Sequence, residues 1–369
     1  MHFWSHGFLA IVLAICCITP FVIGGNLYFS PSGASTWDGG CANVSSCTAA
    51  APCSFGQGTT AITTFDEPSC AIYLVAGSYG SSSITISATS APLELYGLGD
   101  GVVNIGLEIA TDSWLSVHNL QLKTLYSSFT ATGDLTNHTE MLIENSIFTV
   151  EVGSDPTSST IEIVRSNSVY LPTTIRNSTF TTSSSDLQSV IRAGTLNLTL
   201  QDVTLQGDSR AIIGNCRSLV LDHVTSNTPN IFQGDAEEVQ ILDSSITGIS
   251  RYAFVGTTAM TSFVAQRSNF TGAARFLDPD QLLSDPQLNT LSTISLSNVV
   301  SGSSFTFGAL VATGQVSISM SSFAEVFGTL DLSGATSVSV MGNSFNRSYD
   351  ATLLGLFVHQ DTPTIQISG

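Results

Sequence analysis

The sequence is poor in charge, and above all in positive charge. Only 10% of its 369 residues are charged, against about a quarter in a typical soluble domain. Ten basic residues, including the single lysine Lys123, stand against 28 acidic residues, which gives a formal net charge of −18. Nucleic acids and anionic membranes attract basic surfaces, so this balance argues against both as partners.

Long apolar runs are also scarce. The notable run covers residues 8–23, and the small residues Val22 and Gly24 stand before a plausible cleavage point. It is shorter than the ~20 residues that a membrane-spanning helix needs. We therefore predict a secretory signal peptide over residues 1–24, with a signal anchor as the alternative. After its removal we expect no transmembrane segment and a secreted, extracellular or cell-surface protein.

Cysteine is concentrated in one short region. Of the seven cysteines, two belong to the expected signal peptide, four form a cluster and Cys216 stands alone; the cluster is Cys41, Cys47, Cys53 and Cys70. In an exported chain this cluster predicts two disulfides, with all three pairings open, that cap the exposed edge of a first coil. A zinc site is the alternative, but C-x5-C-x5-C is an unusual zinc spacing. We expect Cys216 to be free and buried.

What the sequence has in abundance is a repeat. The template apolar-x-apolar-x-[Asn/Asp]-x-x-apolar recurs, for example as MLIENSIF at residues 141–148 and VQILDSSI at residues 239–246. Its fifth position, here called the anchor, falls at Asn119, Asn145, Asn177, Asp202, His223, Asp243, Arg267, Asn298, Met320 and Gly342. Period-two alternation before the anchor predicts a strand. Asn, Asp and Gly at the anchor predict a sharp turn in the left-handed conformation.

The repeat length predicts a solenoid. Successive anchors are between 20 residues (His223 to Asp243) and 32 residues (Asn145 to Asn177) apart, and units of this size bury their apolar faces only against their neighbours. A leucine-rich repeat is the competing interpretation, but its asparagine comes later after the strand and its spacing varies less. Ser, Thr and Gly, rather than an amphipathic helical pattern, fill the intervals between strands.

We therefore predict an all-β fold: a single right-handed parallel β-helix with a disulfide-rich N-terminal cap. Residues 25–80 would form the cap and first strands, and residues 81–369 the repeats, ending mid-coil. The third template position should stack inside the coil, and its members include Val117, Ile143, Ile175, Leu200, Leu221 and Ile241. The phenylalanines at the last template position should form a second buried ladder; they are Phe148, Phe180, Phe270, Phe323 and Phe345.

The repeats and the N-terminal segments resemble those of the pectin-lyase-like right-handed β-helix superfamily. The segments are LYFSPSGASTWDGGCANVSSCTAAAPCSFGQGTTAI, IYLVAGSYGSSSITI and LELYGLGDGVVNI. They are similar to a secreted branch with chlamydial polymorphic-outer-membrane-type repeats, and the resemblance runs from Leu27 to the end. It implies the β-helix fold, and it implies that enzymes acting on acidic or neutral polysaccharides are among the relatives.

The catalytic motifs of those enzymes are largely missing. Neither Gly-His-Gly nor Arg-x-Lys occurs, and the Arg-x-Pro-x-x-Arg of pectate lyases is absent. LVLDHVTSN faintly resembles the pectate lyase Ile-Asp-His strand, which makes Asp222 and His223, with Arg192, weak catalytic candidates. His223 also occupies an ordinary anchor, so a structural role is favoured. We predict no metal site and no cofactor, with calcium as the one ion that oxygen-rich loops could bind.

Sequons stand at Asn43, Asn137, Asn177, Asn197, Asn269 and Asn346. We expect glycosylation at Asn43, Asn137, Asn197, Asn269 and Asn346, which would supply the solubility that charge does not. Asn177 is an anchor, and the resemblance implies that such asparagines point inward, so we expect low occupancy there.

Two functions follow from these observations. The favoured one is a non-catalytic secreted or cell-surface β-helix that serves adhesion or carbohydrate contact, with a carbohydrate or an extracellular protein as partner. The alternative is a polysaccharide lyase or glycoside hydrolase acting on acidic polysaccharide, with Asp222, His223 and Arg192 at its site.

Overall fold

The protein is described here from a computed structural model. The structure describes residues 26–33, 35–36, 47–54, 64–65, 70–88, 92–111, 114–131, 141–151, 160–164, 172–182, 189–208, 210–249, 252–255, 260–272, 275–277, 290–331, 334–345 and 365–368. The predicted signal peptide over residues 1–24 lies outside them, as do Cys41, Asn43, Asn137 and Asn346.

Every regular element in the described residues is a β-strand. The strands of the first part are Asn26–Phe29, Ser35–Thr36, Cys53–Ser54, Thr64–Phe65, Cys70–Ala88, Leu93–Thr111, Leu115–His118, Gln121–Thr124, Tyr126–Ala131, Met141–Glu144 and Ile147–Val150. Those of the middle are Thr160–Val164, Pro172–Arg176, Thr179–Thr182, Ile191–Gln201, Thr204–Gln206, Ile212–Asp222, Thr225–Ser226, Phe232–Gln233, Ala236–Leu242, Ser245–Ile249 and Tyr252–Val255. Those of the last part are Ser262–Gln266, Asn269–Gly272, Arg275–Leu277, Thr290–Ser297, Val300–Ser319, Ser322–Asp331, Ser337–Met341, Ser344–Phe345 and Ile365–Ser368.

The strands pair in parallel, each with the equivalent segment of the next coil, and form a right-handed parallel β-helix. Three faces follow one another around each coil. The first sheet contains the segments before the anchors, where Val117 pairs with Leu95 on one side and Ile143 on the other. The second sheet contains the segments after the anchors, and the third sheet closes the coil. The predicted fold class is confirmed. The described residues contain no helix, so they give no support to the alternative of a leucine-rich horseshoe.

The turn between the first and second sheets, here called the anchor corner, is the most regular part of the molecule. Nine anchors from Asn119 to Met320 have φ between 47° and 54°, and Gly342 has φ 62°. The left-handed turn predicted at all ten anchors is therefore confirmed. The N–H of each of the nine anchors from Asn119 to Met320 donates to the next coil; that of Asn119 reaches the carbonyl of Glu144 at 3.1 Å, and that of Asp243 reaches the carbonyl of Gln266 at 3.0 Å.

The anchor side chains point outward, which corrects one expectation. Asn177 is exposed, and not directed into the coil. The reason is that its backbone N–H already pairs with the carbonyl of Gln201, so the amide side chain is left on the convex side of the turn. By contrast, the side-chain oxygens of Asn197 and Asn269 are buried without a hydrogen-bond partner in the described residues. Glycosylation at the sequons stays a prediction.

Buried serines follow several anchors and tie the coils together. They are Ser146, Ser178, Ser244, Ser268 and Ser321, each at most 3% exposed. The hydroxyl of Ser244 donates to the carbonyl of Leu242 at 2.7 Å and accepts the N–H of Val224 in the preceding coil at 2.9 Å. Each such hydroxyl satisfies a backbone group that would otherwise be buried and unpaired.

The core is a set of stacked ladders, as predicted. The third template positions are fully buried, and Phe148, Phe180, Phe270 and Phe323 are buried in a second ladder. The rings of Phe148 and Phe180 stack with centroids 4.8 Å apart and planes 14° apart. The side chain of Phe345 lies outside the described residues.

In the described part of the N-terminal cap, Cys47 and Cys53 form a disulfide. It sits against the first strand, because the N–H of Tyr28 donates to the carbonyl of Cys47 and Phe29 pairs with Cys53. Cys41 and the side chain of Cys70 lie outside the described residues, so their pairing stays a prediction. Cys216 is free and buried as expected, and burial raises the pKa of its thiol to about 12.

Candidate functional site

The three weak catalytic candidates do not form one site. Asp222 and His223 are together at the anchor corner, where Nδ1 of His223 lies 2.8 Å from Oδ1 of Asp222. Arg192 lies on the third sheet, where it pairs with Glu162 and Ile213. A turn separates the third sheet from the first sheet around the coil. Arg192 therefore lies on a different surface from Asp222 and His223, although the sequence analysis grouped the three residues.

The Asp222–His223 pair belongs to a ladder of charges on the convex corner. Asp243 lies within reach of both, since potential ligand atoms of the three residues are all within 4.8 Å of one another. Arg267 occupies both oxygens of Asp243, with Nε and Nη2 each 2.6 Å away, and this hydrogen bonding lowers the pKa of Asp243. More than half of the side-chain surface of His223 and of Arg267 is exposed. A solvated surface ladder with its carboxylate already paired fits these contacts better than a catalytic cleft.

The outward face of the third sheet gathers a more concentrated set of polar groups. One side chain per coil forms a rank here called the outer rank, and its members in register are Thr85, Glu108, Ser128, Glu162, Arg192, Ile213 and Gln233. Neighbours in the rank are about 4.8 Å apart, because that is the spacing of paired strands. A ligand lying along the axis of the solenoid would therefore meet a new side chain at every coil.

The two glutamates of the outer rank are held by hydroxyl groups. Thr85 donates to Oε2 of Glu108 at 2.9 Å, and Tyr126 donates to Oε2 of Glu162 at 2.5 Å. Burial, the hydrogen bond to Glu162 and the negative charges of Glu162 and Glu108 raise the pKa of Tyr126 to about 12. Tyr126 is therefore a neutral hydrogen-bond donor at physiological pH, and it fixes the orientation of the Glu162 carboxylate.

A cleft of about 470 Å³, here called the Arg192 cleft, opens next to Glu162. Its lining includes Arg192, Ile213, Gly214, Asn215, Gln233 and Gly234. The two glycines are required by the close approach of neighbouring coils: a Cβ on Gly214 would lie 1.9 Å from the carbonyl oxygen of Ala193, and Gly234 has φ 135°.

The polar atoms of the cleft are only partly used by the protein. Oε1 of Gln233 is buried and has no hydrogen-bond partner within the described residues. Oδ1 of Asn215 accepts the N–H of Asp235 at 3.2 Å, which leaves the amino group of Asn215 as a donor. Arg192 is exposed. The cleft thus offers donors from Arg192 and Asn215, and Gln233 in its lining has a buried oxygen with no partner in the described residues.

A stack of aromatic rings occupies the outward face of the first sheet. The rings of Tyr28, Tyr73, Tyr96 and His118 follow one another with centroids 4.6, 5.0 and 4.9 Å apart and planes 11° to 17° apart. His118 and Arg176 both hydrogen-bond to Glu144, at 2.8 and 2.6 Å. Because the rings cover each other's faces, this stack presents edges rather than a flat platform for sugars.

Sequence reasoning missed both the outer rank and the aromatic stack. The stack could have been predicted, because the template marks the last strand position before the turn as outward. Tyr96 and His118 both occupy this position and pair with each other. The outer rank had no signal of comparable strength, because the third-sheet strands fall at varying distances from the anchors.

Comparisons with family models, curated proteins and solved structures give no match for this chain. The described residues include no helix with the length and apolar character needed to span a membrane. Function is therefore inferred from the chemistry of the surface.

Proposed function

We propose that this chain is a non-catalytic, secreted or cell-surface β-helix that contacts carbohydrate through the outer rank and the Arg192 cleft. The observation that carries the proposal is the outer rank on successive coils, which is polar except at Ile213 and ends in an open cleft; among the described residues the buried Oε1 of Gln233, a lining residue, has no hydrogen-bond partner. Sugar hydroxyls both donate and accept hydrogen bonds, so they complement such a mixed surface. The resemblance to the pectin-lyase-like superfamily supports the same class of ligand.

The extracellular location rests on the sequence. The predicted signal peptide, the cysteine cluster and the sequons all favour it, and the Cys47–Cys53 disulfide is typical of an oxidising compartment.

The non-catalytic part of the proposal rests on how the carboxylates are engaged. Glu108 and Glu162 each accept a hydrogen bond from a hydroxyl of the protein, and the Asp222–His223 pair lies on a convex corner. A general acid or base needs a reacting group within hydrogen-bond reach in a site that can exclude water, and the exposed corner does not provide one.

A binding panel tests the proposal directly. Purified full-length protein would be measured against neutral and acidic oligosaccharides, with product analysis for unsaturated ends and reducing ends in parallel. We expect binding without turnover, weakened when Ser128 is replaced by lysine, because the long side chain would obstruct the outer rank. Ser319→Lys, on the outward face of the first sheet, is the matched control and should bind normally. Failure to bind any carbohydrate would refute the proposal.

An enzyme remains the second candidate, and one observation favours it. Glu108 and Glu162 flank Ser128 in the outer rank, which places two carboxylates on one face about two coils apart; inverting glycosidases use carboxyl groups roughly 6.5–9.5 Å apart. Turnover of pectate, polygalacturonate or neutral glucans, with or without calcium, would establish it. Loss of that turnover in Glu108→Gln and Glu162→Gln would assign these residues, whereas loss in Asp222→Ala and His223→Ala would assign the corner.

A further inference from the structure

We infer that the Arg192 cleft is a subsite for an uncharged, hydroxyl-rich sugar residue rather than for an acidic one. This inference rests on the proposed carbohydrate contact and specifies its ligand. Three side chains on successive coils define the subsite: Arg192, Ile213 and Gln233.

The first argument is the unused acceptor. A buried amide oxygen without a hydrogen-bond donor has lost its hydration without a hydrogen bond in exchange, which is unfavourable. Oε1 of Gln233 is such an atom within the described residues, and Gln233 is one of the residues that line the cleft. Because the oxygen itself is buried, the proposal requires the Gln233 side chain to turn toward the cleft when a ligand binds. A carboxylate ligand is acceptor-only when ionised and cannot satisfy this oxygen, whereas a hydroxyl group can donate to it.

The second argument is the electrostatics around the single cation. Among the described residues that line the cleft, Arg192 is the one that carries a charge. Its register neighbour Glu162 is acidic, and Asp235 directly follows the lining residue Gly234. The chain as a whole carries a formal charge of −18. An acidic sugar would gain contact with one guanidinium while approaching negative charge on both flanks; a neutral sugar hydroxyl accepts from Arg192 without that repulsion.

The third argument is the apolar centre of the subsite. Half-buried Ile213 lies between Arg192 and Gln233, so polar groups flank an aliphatic patch over a span of about 10 Å. A pyranose ring has the same distribution, with hydroxyls at its rim and C–H groups on its face. The subsite therefore matches the amphipathic character of a neutral sugar.

The test compares neutral and acidic probes on the intact protein. Isothermal titration would use cello-, xylo- and manno-oligosaccharides as neutral probes and oligogalacturonate as the acidic probe. We expect at least one neutral series to bind more tightly than oligogalacturonate, and Arg192→Ala to weaken it about tenfold, equivalent to ~1.4 kcal/mol. Arg210→Ala, a change at another exposed arginine, is the charge-matched control and should bind normally.

Gln233→Met gives the sharper second variant. It keeps an unbranched side chain of similar length and removes the whole amide, both the unpaired oxygen and the amino group, so we expect Tm to stay equal or rise while binding of the neutral probe falls about tenfold. A lowered Tm would show that the amide group is engaged in the fold, and would overturn the inference. Preferential binding of oligogalacturonate, or neutral binding unchanged in both variants, would also overturn it while leaving the proposed carbohydrate contact standing. Absence of any binding would reject both.

Discussion

The anchor corner and the third-sheet side of the coil follow different rules. In each coil from Asn119 to Gly342, the turn at the corner consists of two residues, such as Asn119 and Leu120 or Gly342 and Asn343. The first residue of each turn is the anchor and has a left-handed φ. On the third-sheet side the strands vary from the two residues of Phe232–Gln233 to the six of Tyr126–Ala131, and their connections vary in length. The turn geometry is therefore constant at the corner, whereas strand and connection lengths vary on the third-sheet side.

The difference separates what builds the fold from what is available for function. The corner holds the backbone hydrogen bonds and buried serines that set the coil-to-coil register, so its residues have little freedom to change. The third-sheet side carries the outer rank and the Arg192 cleft, because variable connections can reshape a surface without disturbing the stacked core.

The largest effect should come from the core beside the corner. Phe180→Ala should lower the free energy of unfolding by about 3–5 kcal/mol, since it opens a cavity in the phenylalanine ladder. Ile213→Ala in the half-buried outer rank is the matched change on the variable side and should cost well under half as much. Denaturant unfolding of both variants measures these free energies. Equal losses of stability in the two variants would contradict the proposed difference between the anchor corner and the third-sheet side.

The buried serines should be the next most sensitive feature. Ser244→Ala should cost about 1–3 kcal/mol, because it leaves the buried N–H of Val224 without its hydroxyl partner. The adjacent Ser245 is only partly buried and points outward, so Ser245→Ala should change stability by less than about 0.5 kcal/mol. Thermal unfolding of both variants measures the difference. Equal losses of stability in Ser244→Ala and Ser245→Ala would contradict the proposed role of the buried serines.

A smaller, stabilising effect should follow from improving one anchor. Met320 has φ 49°, a conformation that costs a non-glycine residue roughly 1 kcal/mol and that asparagine tolerates better. Met320→Asn should therefore raise the free energy of unfolding by up to about 1 kcal/mol. Met341→Asn, at an exposed strand position of the next coil, should give no gain, and a gain there equal to that at Met320 would remove backbone conformation as the cause.

The smallest effect concerns acid stability of the first sheet. Partial burial acts to raise the pKa of Glu144, but hydrogen bonds from Arg176 and His118 outweigh it and lower the pKa below its ordinary 4.5. A lowered carboxyl pKa stabilises the fold above the ordinary value, and this stabilisation is lost as pH falls through the lowered value. The stability advantage of the wild type over Glu144→Gln should therefore shrink as pH falls below 4.5. Glu238→Gln, at an exposed glutamate, is the control; a difference that does not change with pH would reject the ion network as its source.

Much of the coil could be predicted from the sequence because its determinants are local. Alternation of period two sets which residues of a strand face inward, so Val117, Ile143 and Ile175 are buried as predicted. The preference of Asn, Asp and Gly for left-handed turns marks the corner, and the repeat then carries the same turn through His223, Arg267 and Met320. Cysteine clustering likewise indicates the cap, where Cys47 and Cys53 pair.

Only the tertiary structure decided which outward side chains became neighbours. Glu162, Arg192, Ile213 and Gln233 come from four successive coils and meet in one rank. Arg192 is kept away from Asp222 by the turn between their sheets. Nothing local specifies these encounters: the residues are tens of positions apart, and the connections between them vary in length. An inward residue is set by the alternation of its own strand, but a surface site depends on the lengths of all the turns that bring its members together.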